Sequence, residues 1–83
     1  MDAEEIRARV ATRIRELAAR RKLSLNRLAD RAGLTHSLFY AVLAGERAAT
    51  TDTLTKLAVA LGVEPMEFLR PPRRTKAKPG EES

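Results

Sequence analysis

The sequence predicts an all-α domain of five helices followed by a basic tail, and three observations support it. Up to Leu69 the apolar residues recur at intervals of three and four rather than two. The alternating Val, Ile and Thr runs of a strand-forming chain are missing. After Leu69 the composition changes: residues 70–83 read RPPRRTKAKPGEES, with three prolines and no large apolar side chain. That segment cannot bury a core and is expected to be disordered when free. Residues 1–69 are therefore the domain, and 70–83 a flexible basic tail.

The first helix should run from about Asp2 to Arg21. Ile6, Val10, Ile14 and Leu17 share one stripe, Asp2, Glu4 and Glu5 stand at the positive end of the helix dipole, and Arg20 and Arg21 stand at the negative end. The other arginines, Arg7, Arg9, Arg13 and Arg15, read as a solvated face balanced by acids at helical spacing. Ser24 is a good N-cap for a second helix over 25–32, its hydroxyl accepting from the free amides of the first turn, and Gly33 ends that helix. Thr35 caps a third helix over 36–44. Gly45 stops it, because a residue without a Cβ suits the left-handed conformation that a helix end often needs. Thr50 or Thr51 caps a fourth helix through Leu61, with Asp52 in its first turn and Gly62 at its end. Pro65 opens a short fifth helix over Met66–Leu69, and Pro71 and Pro72 terminate it.

Composition narrows what such a domain can do. A chain of 83 residues has room for one core, and the absence of Cys excludes disulfides, thiolate zinc sites and a cysteine nucleophile. Cysteine-free composition fits a reducing compartment, and the acidic amino-terminal residues lack the basic start of a signal peptide, so a cytoplasmic location with no membrane partner is expected. His36 is the single histidine, and no Gly-rich phosphate loop, Ser/His/Asp set or paired acid site accompanies it. An enzyme, a metal site and a cofactor are not expected. The net charge of +5 favours a polyanionic partner, nucleic acid first and an anionic membrane surface second. Of that charge, +3 lies in residues 70–83, where five basic residues face two acids.

The second and third helices, joined by Gly33-Leu34-Thr35, give the helix, short turn, helix arrangement that a DNA-reading helix-turn-helix requires, here about residues 25–44. The surrounding pattern is more specific. It consists of Ile14-Arg15-Glu16-Leu17, Leu23-Ser24, Leu28-Ala29, Ala32-Gly33-Leu34-Thr35, Phe39, Val42, Gly45, Leu54, Leu57-Ala58, Leu61-Gly62-Val63 and Phe68-Leu69. Over residues 13 to 69 this run resembles the Cro/CI-type (XRE-like) helix-turn-helix family of phage repressors and restriction-modification controller proteins. The resemblance implies a five-helix repressor-type bundle in which 25–32 is the positioning helix and 36–44 the recognition helix.

Carried over by position, it implies that His36, Ser37, Tyr40 and Ala41 face base edges. Ser24, Asn26, Arg27, Thr35 and Arg47 then meet phosphates. The implied function is that of a sequence-specific double-stranded DNA-binding transcriptional regulator, a repressor or self-regulating controller. The chain also departs from the family's pattern. Leu25 stands where a glutamine that touches phosphate and buttresses the recognition helix is common, Ala44 replaces a frequent Asn, and Glu46 replaces a basic residue. Where the family often pairs an Arg in the first helix with a Glu near the end of the third, this chain has Ala18 and Leu43, so an all-apolar seam is expected there.

One recognition helix covers too few base pairs for useful specificity, so a homodimer is expected. Its contact is placed at Val63, Met66, Phe68 and Leu69, where the short fifth helix carries more apolar side chains than one small core needs. The alternative is a protein-interaction module on the same fold, an antitoxin, anti-repressor or complex subunit that uses Leu25, Leu38 and Tyr40 to bind a protein partner.

Overall fold

Helix boundaries in the computed structural model, which describes residues 2–69, fall where side chains satisfy the free backbone groups of each helix end. Asp2 does not enter the first helix but caps it. Its carboxylate accepts from the Glu5 N–H at 2.8 Å, while the Glu5 carboxylate accepts from the Asp2 N–H at 3.0 Å. This reciprocal box starts α1 (Ala3–Arg20). Ser24, Thr35 and Thr50 then cap α2 (Leu25–Ala32), α3 (His36–Leu43) and α4 (Thr51–Leu61), each hydroxyl accepting at 3.1 Å from the amide three residues on. Gly33 and Gly62 close α2 and α4 in the left-handed conformation, as expected. The expected all-α class thus holds: among the described residues there is no strand, and none of the helices is long and apolar enough to cross a membrane.

Helix α1 ends without a glycine. Lys22 takes the left-handed conformation itself, at φ 55°, so that the Leu23 N–H reaches the Ala18 carbonyl at 2.9 Å. A residue with a Cβ is strained there. Lys22→Gly is therefore expected to stabilise the domain by about 0.5–1 kcal/mol, which a thermal melt registers at ~4–8 °C per kcal/mol for a domain of this size.

Every element sends one fully buried large side chain to the centre: Ile14 from α1, Leu28 from α2, Phe39 from α3, Leu57 from α4 and Phe68 from the closing segment. The closing segment, Pro65–Leu69, is a 3-10 helix and not the short α-helix expected. So short a segment gains little from i to i+4 bonds and tightens to i to i+3, as in the 2.9 Å bond from the Glu67 N–H to the Glu64 carbonyl. Ala18 and Leu43 are both buried in the common apolar cluster, so α1 and α3 meet through packing rather than through an ion pair.

Three expectations need correction. Phe68, placed at the surface between two copies, is fully buried in the domain's own core, because the 3-10 turn points it inward against α1 and α4. Arg13, assigned to a solvated face, is 3% exposed. Its position, three residues after Val10 and four before Leu17, lies inside the buried face of α1. There the Nε group donates to the Glu67 carbonyl at 2.9 Å, Nη2 to Glu67 Oε1 at 3.0 Å and Nη1 to Glu16 Oε1 at 2.7 Å. Ile6, counted on the core stripe, is 41% exposed, since it lies near the open start of α1. The basic tail expected at 70–83 lies outside the described residues.

Candidate nucleic-acid interface

The turn between α2 and α3 is built by three residues with separate tasks. Gly33 takes φ 73°, a conformation that favours a residue without a Cβ and redirects the chain after α2. Leu34 is buried and anchors the turn to the core, with its N–H donating to the Ala29 carbonyl at 3.0 Å. Thr35 begins α3 as its cap. Two short helices are thereby held at a fixed angle by a three-residue connection, the geometry of a helix-turn-helix.

Helix α3 reads HSLFYAVL, and its faces divide cleanly. Phe39, Val42 and Leu43 are buried, whereas His36, Ser37 and Tyr40 are exposed and Ala41 is half-buried. The residues expected to read bases therefore share the outer face, with no Lys, Arg, Asp or Glu within the helix. Among the residues expected at phosphates, Ser24, Asn26, Arg27, Thr35 and Arg47 are all exposed. The Ser24 and Thr35 hydroxyls accept from helix amides as caps, which leaves each its own hydrogen to donate outward. Arg47 stands apart from the start of α2, in the loop after α3, beside an apolar depression lined by Ile6, Val10, Leu54 and Leu69.

Two contacts cross the turn on the outer face. His36 Nε2 lies 2.9 Å from Asp30 Oδ1, and the Tyr40 hydroxyl donates to Asn26 Oδ1 at 2.7 Å. The His36 and Tyr40 rings meet edge to face, with centroids 6.4 Å apart. These groups are exposed, so the contacts add little to stability. What they do is place Asp30 and Asn26 within hydrogen-bond distance of two side chains of α3. Asn26 thus joins Tyr40 instead of standing alone at the helix start. Asp30 was not among the expected site residues, although its place one turn after Asn26 on α2 was a usable signal.

Leu25 and Leu38, the residues on which a protein-docking surface would depend, are half-buried and packed against the core, leaving Tyr40 as the exposed member of that set. At the other side of the molecule, Met66 and Leu69 are 66% and 41% exposed and Val63 is half-buried. Val59 on α4, to which the sequence reading assigned no role, is exposed to 78%.

Comparison with known proteins agrees with this geometry. Residues 9–70 match a family described as a helix-turn-helix domain. The fold is similar to that of the restriction-modification controller protein C.AhdI from Aeromonas hydrophila, at 35% identity and a TM-score of 0.70, covering 75% of this chain and 94% of that one. It is also similar to a hypothetical transcription factor, NHTF, from Neisseria, at 29% identity and a TM-score of 0.77, covering 87% of this chain and 83% of that one. None of the curated proteins matches the chain.

Proposed function

The chain belongs to the helix-turn-helix domain family, and from that premise we propose that it is a sequence-specific double-stranded DNA-binding regulator of transcription that works as a homodimer in the cytoplasm. The observation that carries this reading is the exposed polar face of α3, raised beside a helix start whose hydroxyls and basic side chains suit phosphate. Similarity to a controller protein and to a transcription factor supports the regulatory role, with repression or self-regulating control as its mode. His36, Ser37, Tyr40 and Ala41 would read bases, while Ser24, Asn26, Arg27, Thr35 and Arg47 would hold the backbone. The role is one of binding, without catalysis.

Selection of bound sites from a pool of random duplexes tests the reading directly, because a groove-reading protein enriches one motif and a protein-docking module enriches none. On the selected duplex, His36→Ala and Tyr40→Ala are each expected to weaken binding by ~1–3 kcal/mol. Both residues are exposed in the free protein, so the melting temperature should barely move. Binding that survives both changes together would remove α3 from the interface.

Two copies would place their recognition helices one DNA turn apart, ~34 Å, on a palindromic site. The surface best suited to their contact now consists of Met66, Leu69 and the edge of Val63, with Val59 added and Phe68 withdrawn into the core. Sedimentation is expected to give a dimer at tens of micromolar, and Met66→Asp and Val59→Asp together should give a folded monomer. A wild-type protein that sediments as a monomer both free and on DNA would exclude the dimer.

A further inference from the structure

Asn26 and Asp30 lie one turn apart on α2, as do His36 and Tyr40 on α3, and the four residues pair crosswise, 26 with 40 and 30 with 36. We propose that Asn26 and Asp30 are positioning residues that make His36 and Tyr40, on the outer face of α3, hydrogen-bond acceptors that select the exocyclic amino groups of adenine and cytosine over guanine. This rests on the DNA-reading role proposed above and assigns the chemistry of its specificity.

The polarity follows from which atoms are already committed. An ionised carboxylate only accepts, so the 2.9 Å contact requires the hydrogen on His36 Nε2, and in the neutral ring Nδ1 keeps its lone pair. Tyr40 donates its single hydroxyl hydrogen to Asn26 Oδ1, which leaves lone pairs on the phenolic oxygen and nothing to donate. Two acceptors, Nδ1 and Oη, therefore stand one helical turn apart on the same face.

In the major groove adenine N6 and cytosine N4 donate hydrogens, whereas guanine presents N7 and O6, both acceptors, which two acceptor atoms repel. The usual way of reading guanine is a bidentate Arg or Lys, and α3 contains neither.

The test has a readout on the free protein and one on DNA, both made at pH 8. In nitrogen-15 spectra of the wild-type chain, His36 should carry its hydrogen on Nε2. Asp30→Ala should raise the fraction carried on Nδ1, and Asp30→Asn, which keeps an accepting oxygen, should not.

On the selected duplex, single bases are then replaced by analogues. Purine in place of adenine, or pyrimidin-2-one in place of cytosine, deletes one amino group, and 7-deazaguanine deletes a guanine acceptor. Deleting an amino group at one position or more of each half-site should cost the wild-type protein about tenfold in affinity. At the position that His36 reads, that loss should shrink towards none in Asp30→Ala and persist in Asp30→Asn, while 7-deazaguanine should be tolerated opposite both acceptors. A loss on 7-deazaguanine with every amino deletion harmless would overturn the proposal while leaving DNA reading intact. So would amino-deletion losses that Asp30→Ala leaves undiminished at every position, or an Nδ1 hydrogen in the wild-type ring. Failure of the wild-type protein to enrich any duplex would overturn the DNA-reading role itself, and this proposal with it.

Discussion

Phe68→Ala should unfold the domain rather than merely separate two copies of it. The ring is fully buried where the 3-10 helix meets α1 and α4, so truncation leaves a cavity whose walls belong to three elements. Removing a buried phenylalanine costs ~3–5 kcal/mol. That is a large share of the ~3–10 kcal/mol that a domain of this size has in total, since net stability runs to ~0.05–0.15 kcal/mol per residue. The expected result is loss of the cooperative thermal transition near room temperature and a helical signal that falls at every protein concentration. An interface residue would behave differently, weakening association while the diluted monomer kept its melting point. Met66→Ala, at a side chain 66% exposed, is the matching control and should leave the monomer's stability within about 0.5 kcal/mol. A folded Phe68→Ala monomer with an undiminished melting temperature would return Phe68 to the surface.

Arg13→Ala is expected to have the second largest effect, about 2–4 kcal/mol of destabilisation. The side chain is 4% exposed, and its guanidinium holds three acceptors, the Glu67 carbonyl, the Glu67 carboxylate and the Glu16 carboxylate. Breaking a buried ion pair from one side typically costs ~3–5 kcal/mol. The lower figure applies here because the Glu16 and Glu67 side chains are 28% and 29% exposed and their carboxylates can recruit water. Arg13→Lys should recover little of the loss, since an ammonium on a flexible stem cannot address the carbonyl and both carboxylates in the planar geometry of a guanidinium. A buried pair is weakly screened, so the penalty measured by urea unfolding should be nearly the same at 0.1 M and 1 M salt. A penalty that vanished at high salt would mean that the arginine acts from the surface.

Most of the fold was legible because its signals are local. Ser24, Thr35, Thr50, Gly33 and Gly62 act on amides or carbonyls within four residues of themselves, and all stand at the helix ends where the sequence placed them. The capping box at Asp2 and Glu5 was equally local and could have been read from the Asp-x-x-Glu spacing. Arg13 was misread because the acceptors that make its burial possible include Glu67, 54 residues away, and Phe68 because the inward turn of the closing segment depends on its packing against α1 and α4. Nothing in the identity of Arg13 separates it from Arg9 or Arg15, and only its register with Val10 and Leu17 placed it on the buried side. At the candidate site the outward set on α3 followed from helical periodicity once Phe39 and Val42 were assigned inward. The cross-turn pairs could not follow in the same way, since a contact such as 26 with 40 depends on the angle that the Gly33 turn imposes on two helices.

The clasp between Arg13 and Glu67 joins side chains 54 positions apart and brings the first helix against the last segment of the domain. A chain made from its amino terminus on a ribosome therefore meets its final partner late. Until Glu67 and Phe68 have been added, α1 has an arginine aimed at an apolar face with no acceptor from the closing segment, and the core lacks one of its five central side chains. Helices α1 to α4 can be present in the nascent chain before that point, but their packing is incomplete. A released chain truncated before residue 67 should be protease-sensitive, and resistance should appear in one step once the closing segment is included instead of growing helix by helix.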